Sequence, residues 1–460
     1  MRRIAVLVML AVTVTGAALA SGPAVVTPEF SGPADIPPVP TASASVWYCP
    51  WINAGAESDA AFLLASEAAG EATMTLPGLV ANEPADTDIV AITGPGSRIV
   101  DVGTIVRRGD APGFVEFDAG PAAASAVVWE QGVLSADRCV SSVPKIWHLA
   151  GGTTREGRSL VVRLFNPFPD DVRVSVTGTS EFGAEPLPEF SLVDIPGRSW
   201  RNLELSPVVP LLDDLALVVT ATTGVIIPSM VLSGDVDEAT WPGTALSTSW
   251  TFPIAGLGSM SSVLAITNPG AEDVTVAVDL LLSSGRVPDA VMVDVAAGSP
   301  ARIDLGALVD GDYGIGVRAS GAIAAVVIAE DQQLETGASD GNSVGTGRTL
   351  DRIAATVGAE RSARRWLLAG AGGVPDDATS SVWIYNPAPE PVTVSLEPLG
   401  VRDLPVEKIV VAPETRIRFD APVDIAIGSY LIDAPTPVVA AWSAHAVDAV
   451  AFVAGVAVGE

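Results

Sequence analysis

Apolar and polar residues alternate along much of the chain, and in three places the alternation breaks at the same dipeptide. The stretches SLVVRLFNPFPDDVRVSV, SSVLAITNPGAEDVTVAV and SSVWIYNPAPEPVTVSL alternate up to Asn-Pro and resume beyond it. Two and four residues before Asn166, Asn268 and Asn386 stand Leu164 and Val162, Ile266 and Leu264, Ile384 and Val382. Six residues after each Asn the alternation restarts, at Val172, Val274 and Val392. Period-two placement of β-branched and aliphatic residues marks half-buried strands. Proline biases the residue before it toward extended geometry and has no N–H for a ladder, and an Asn side chain closes an Asx-turn. The pattern predicts strand, Asn-Pro turn, strand, paired as a hairpin whose constant offset fixes the register. An altered copy, AFLLASEAAGEATMTL, keeps Phe62, Leu64, Ala72, Met74 and Leu76 in phase but has Ser66-Glu67 in place of Asn-Pro.

Other features recur in the same order. Trp47, Trp147, Trp250 and Trp366 open four units, three of them with the tags WHLAGG, WTFPIAG and WLLAGAGG. A hydroxyl-then-Arg edge follows in GPGSRIVDV, IPGRSWRNLEL, AAGSPARIDL and APETRIRFDA, and a valine-rich closing pair of strands ends each unit. About seven short strands per unit of about 100 residues, with almost nothing of helical period, predict an all-β fold of four tandem β-sandwiches of the immunoglobulin or fibronectin kind. The alternative is a β-propeller-like or continuous β-array. Ala451 to Gly455 resembles the opening tag without its tryptophan, as expected of a strand that caps a row or closes a ring. The predicted boundaries are a signal peptide over 1–20, a tether over 21–45, and units over 46–144, 145–248, 249–330 and 362–460. A linker fills 331–361, polar and glycine-rich in its first half, and LDRIAATVGAERSARR, which begins within it, has the pattern of a short helix.

Charge and the chain ends narrow the setting. Twenty-five basic residues against 54 acidic ones leave a net charge of −29, which repels nucleic acid and anionic lipid. The start, MRRIAVLVMLAVTVTGAALASG, has a basic n-region, an apolar core and a small-x-small site ending at Ala20. It predicts export with cleavage there; an uncleaved N-terminal anchor is the alternative and the sole membrane contact expected. Residues 21–45 are Pro-, Ala- and Ser-rich and read as an extended tether. Cys49 and Cys139 are the two cysteines, and in an exported protein such a pair predicts a disulfide. The location expected is extracytoplasmic.

Residues suited to chemistry are sparse along the chain. The two histidines, His148 and His445, have no acidic or cysteine ligand at zinc spacing. His148 occupies a place where the other units have Tyr48, Thr251 and Leu367, a surface or semi-buried slot. Nucleophile elbows, P-loops and H-E-x-x-H motifs are not found, so no catalytic residue is nominated and a hydrolase is a minor alternative. Acidic clusters such as Asp310-Gly311-Asp312 and Asp235-x-Asp237-Glu238 read as solvated turns; no cofactor is expected, although such clusters admit a calcium ion. Trp383 and Tyr385 stand three and one residues before Asn386, in the outward phase. Exposed there, they would stack on a sugar or meet a protein partner.

The whole order of Trp and glycine tag, Asn-Pro turn, Ser/Thr-Arg edge and valine-rich closing strands resembles a family of uncharacterised secreted repeats from high-GC Gram-positive bacteria, classed under a domain of unknown function. The resemblance covers residues 46–460. Members are commonly exported or membrane-anchored, and the family lends no catalytic residue. This chain departs from the pattern at Ser66-Glu67 and in lacking an acidic residue after most glycine tags. The expectation is a non-enzymatic structural or adhesion-type protein of the cell envelope, with a carbohydrate- or protein-binding module using Trp383 and Tyr385 as the alternative. Its partner would be an envelope protein or glycan.

Overall fold

In the computed structural model each Asn-Pro joins strands that lie in different sheets. Ser159–Asn166 pairs with Ser199–Glu204 and Ile227–Ser233, whereas Val172–Ser180, just past the turn, pairs with Leu215–Thr223. The same division holds around Asn268 and Asn386. The expected hairpin is therefore an arch across a sandwich. A strand facing a core alternates in the same way whether its sequence neighbour lies beside it or opposite, so periodicity does not separate the two. The six-residue offset aims Val162 and Leu164 at Val172 and Val174 through the shared core.

The structure describes residues 46–55, 59–78, 83–130, 133–235, 237–331, 352–371, 378–400, 404–422 and 428–458; the expected signal peptide and tether lie outside them. The strands form four successive pairs of antiparallel sheets, here called units, beside one two-stranded ribbon of Asn53–Ala54 with Arg108–Asp110. In the second unit one sheet runs Ile146–Gly152, Leu215–Thr223, Val172–Ser180, Gly183–Glu185, and the other Ser199–Glu204, Ser159–Asn166, Ile227–Ser233, Glu238–Pro242. In the third and fourth units one long strand, Tyr313–Asp331 or Ser429–His445, serves both sheets. The repeat-opening tryptophans pin this passage between sheets. The indole N–H of Trp147 donates to Ile226 O at 2.8 Å, that of Trp250 to Ile323 O at 3.2 Å and that of Trp366 to Val438 O at 2.9 Å.

One expectation fails between the third and fourth units. The short helix is a strand, Ile353–Val357, paired with Tyr313–Asp331 as the last strand of its sheet. Ile353, Ala355 and Val357 are buried against the second unit, and that burial outweighs a weak local helical preference. The expected linker is described only at Asp331 and from Arg352 on.

Each Asn side chain locks its arch. Asn386 is fully buried; its Oδ1 accepts the Ala388 N–H at 3.0 Å, and its Nδ2 donates to Glu390 O, Val411 O and Ala412 O at 2.8–3.2 Å. Asn166 and Asn268 make the matching sets with Phe168 and Gly270. One amide thus ties two turns, its own and the one leading into the Arg-bearing edge strand. Ser66 keeps the Asx-type contact with Ala68 N at 3.2 Å. Its hydroxyl donates back to Ala68 O at 3.0 Å.

The four units close on one another. Each has a final strand at the edge of its second sheet: Val133–Arg138, Glu238–Pro242, Ile353–Val357 and Val450–Ala454. These four pack in cyclic order, the first against the second and the fourth, the third likewise against both. Asp237, 1% exposed, stands at their common end. Its carboxyl accepts the N–H of Leu134 at 3.1 Å, of Glu238 at 2.9 Å and of Ile353 at 3.0 Å, and that of Val450 as well. Strand registers make these four donors equivalent positions, one from each unit. Burial pushes the Asp237 carboxyl well above the usual range, and the four amide donors pull against that push.

Around the outside, the opening strands of the second and third units lie on the outer face of the next unit's second sheet, and that of the fourth lies on the first. The glycine tags make this approach feasible. A Cβ on Gly151 (φ +84°) would stand 2.5 Å from Val326 of the third unit, and one on Gly370 (φ +95°) 2.2 Å from Leu63 of the first. Val456–Ala457 also pairs with the opening strand Ala363–Ala369. The segment resembling an opening tag, Ala451 to Gly455, belongs to the axial strand of the fourth unit instead of mimicking a fifth.

Two substitutions test these locks. Asp237→Asn turns an NH₂ toward N–H donors and should lower unfolding stability by about 3 kcal/mol; urea unfolding followed by tryptophan fluorescence will read it, and a loss within error would remove Asp237 as the axial tie. Asn386→Ala should cost about 2–3 kcal/mol, with Asn386→Ser, which copies Ser66, falling between it and the wild type in the same assay.

Candidate functional site

The aromatics nominated from the sequence are buried. Trp383 is 1% and Tyr385 6% exposed. They are in the outward phase of their sheet, but that face is covered by the third unit. Trp383 packs with Ile254 and Met260, its indole N–H donates to Ser443 Oγ at 2.8 Å, and the Arg416 and Arg418 guanidiniums lie 4.7 and 5.2 Å from its ring centre. The sugar-stacking platform expected of these two residues is not formed, because ring closure turns an outer face into an interface. Cys49 and Cys139 are joined as expected, linking the opening strand of one sheet to the residue after the last strand of the other.

The acidic clusters also change meaning. Asp237, expected in a solvated turn, is the axial carboxyl. Asp312 accepts the Gly258 N–H at 2.9 Å and pairs with Arg418 at 3.2 Å. Asp171 and Asp273 accept the N–H groups of Gly197 and Ala297, each at 2.9 Å. These carboxylates cap turns and bridge units. Among the described residues, no group of three or more His, Cys, Asp or Glu is placed to hold a metal ion.

A concave site does occur, in a place the sequence did not single out. A cleft of about 580 Å³ lies where the second unit meets the Asn268 turn of the third. Its floor is the outer face of the second unit's first sheet. Registers place His148, Val218 and Thr177 in one cross-strand row and Ile146 beside Thr220. Its wall is the turn from Asn268 to Glu272, with Val274 and Gly321 behind. His148 is largely buried there, and its Nδ1 has no hydrogen-bond partner. Burial lowers its pKa to about 4, so the imidazole is neutral at pH 7. Such a site offers apolar contact, a neutral imidazole, threonine hydroxyls and the acidic, exposed Glu272 at its rim. The available signal was the loss of bulk at repeat positions, Gly270 and His148 where the unit before has Phe168 and Tyr48. It has no meaning until the units are known to touch there.

Comparisons with known proteins place the chain. No curated protein matches it. A solved structure titled Thermotoga maritima 1070 aligns with 25% of this chain and 94% of its own at 16% identity, with a TM-score of 0.20. The Streptomyces avermitilis α-L-rhamnosidase complexed with L-rhamnose aligns over 84% and 56% of the two chains at 11% identity and 0.11. A tetra-tandem repeat from the extending region of a large adhesion protein does so over 90% and 99% at 11% and 0.10. Likeness at this level says nothing of function. The model of one family, described as a family of unknown function, matches residues 116–373. That match covers more than half of the chain, and the protein belongs to this family, DUF5719.

Proposed function

We propose that the protein is a non-enzymatic, extracytoplasmic scaffold of the cell envelope. The observation that supports this most is the closed ring. Every unit gives an edge strand to one axial bundle, and the second, third and fourth lay their opening strands on a neighbour, so the units hold one another in fixed relation. Ion pairs and hydrogen bonds stitch the junctions further. Asn202 donates to Asp110 at 2.7 Å, Arg286 pairs with Glu414 at 3.1 Å and Arg365 with Glu67 at 3.0 Å. An arrangement braced at each junction suits display and spacing better than closure over a substrate. The net charge of −29 keeps such a surface solvated and steers it toward cationic partners.

The extracytoplasmic setting rests on the disulfide, since such bonds persist in oxidising compartments. Closing a 90-residue loop is worth up to about 4–5 kcal/mol in the chain-entropy model. In intact cells, a membrane-impermeant biotinylating reagent should label the protein, and alkylation before reduction should find Cys49 and Cys139 unmodified. Free thiols on a protein shielded from the reagent would overturn the location. For the scaffold role, cells lacking the gene should take up an impermeant dye more readily. Wild-type protein should restore the barrier and Asp237→Asn should not; a barrier unchanged by the deletion would count against the role.

A further inference from the structure

The ring supplies its own comparison for the cleft, because the first and second junctions are built from equivalent positions. Tyr48 pairs with Phe114 across the first unit's sheet as His148 pairs with Val218 across the second's. Phe168 follows Asn166-Pro167 as Gly270 follows Asn268-Pro269, and each N–H donates to the Asn Oδ1, at 3.1 and 3.0 Å. At the first junction three rings meet: Tyr48 lies 6.1 Å from Phe114 and 5.7 Å from Phe168 between ring centres. At the second, those places hold an imidazole, a valine and a glycine, and a cleft of about 580 Å³ opens there. At the third, Thr251, Gly316 and Ala388 hold these positions, and an Arg286–Glu414 ion pair spans the units.

We propose that the cleft between the second and third units is a docking site for an aromatic side chain of a basic partner polypeptide. The aromatic part follows from the first junction, where the same backbone frame is filled by tyrosine and phenylalanine of this chain. Burying a ring among apolar walls is among the largest gains a single side chain can make. The basic part follows from charge: Glu272 and Asp273 sit on the exposed turn that forms the wall, on a chain of net charge −29. Val218, Thr177 and Thr220 bound the ring's place, with His148 beside it. The proposal goes beyond the scaffold reading and stands without it, because the assay uses purified protein and no cellular location.

The chain has two histidines, so the His148 imidazole is a clean NMR reporter, with His445 as the internal control and His445→Gln for assignment. The probes are acetyl-Lys-Phe-Lys-amide, acetyl-Lys-Leu-Lys-amide and benzyl alcohol, titrated into the full chain. The phenylalanine peptide should shift His148 saturably, leave His445 unmoved and bind roughly ten-fold more tightly than the leucine peptide. Gly270→Phe and, separately, Val218→Phe should each weaken it by a similar factor while the melting temperature holds or rises. Equal binding of both peptides, no saturable shift of His148, or full binding by a folded Gly270→Phe variant would overturn the site. Benzyl alcohol binding as tightly as the peptide would overturn the polypeptide partner.

Discussion

One carboxyl group faces four backbone N–H donors that no sheet can satisfy. An edge strand presents unpaired amides, and four edges brought together would ordinarily be left with orphans at their ends. Asp237 answers this by accepting the first free N–H of Leu134, Glu238, Ile353 and Val450. Because those residues are equivalent in register, the group also fixes the axial alignment of all four units. A slip of one strand would carry its amide away and turn its alternate side chains out of the neighbouring core. The chain spends a single acidic residue, asymmetrically, on a nearly symmetric junction.

Within a unit, the same logic works through an amide side chain. Asn166, Asn268 and Asn386 couple two turns apiece, and the tryptophans of those units brace the passage between sheets. The first unit is poorer in both respects. Ser66 replaces the Asn, and Trp47 Nε1 has no hydrogen-bond partner. It is also the unit with a covalent tie, Cys49–Cys139, placed two residues after that tryptophan. The disulfide stands where polar bracing is thinnest, which fits its being a local substitute for it.

The β-sandwich class and the core faces were legible because period-two burial is written directly in Val172, Val274, Val392 and their partners. What sits opposite what was not legible, since an arch and a hairpin share one pattern. Ile353–Val357 was missed because five residues beside a polar, glycine-rich stretch carry little periodicity, and its neighbours in space lie far off in sequence. Trp383 and Tyr385 were placed on the right face, but the meaning of that face depends on the unit packed against it. Asp237 looked like any acidic turn. Its role exists only where four distant segments meet, and no local pattern records that.

The axial junction also orders events during synthesis. Val133–Arg138, Glu238–Pro242 and Ile353–Val357 emerge long before Val450–Ala454, so until that last strand arrives the growing chain carries three adhesive borders and an incompletely satisfied acid. A chain kept unfolded until all of it has been made avoids that interval. One folding piecemeal as it appears would offer its open borders to its neighbours.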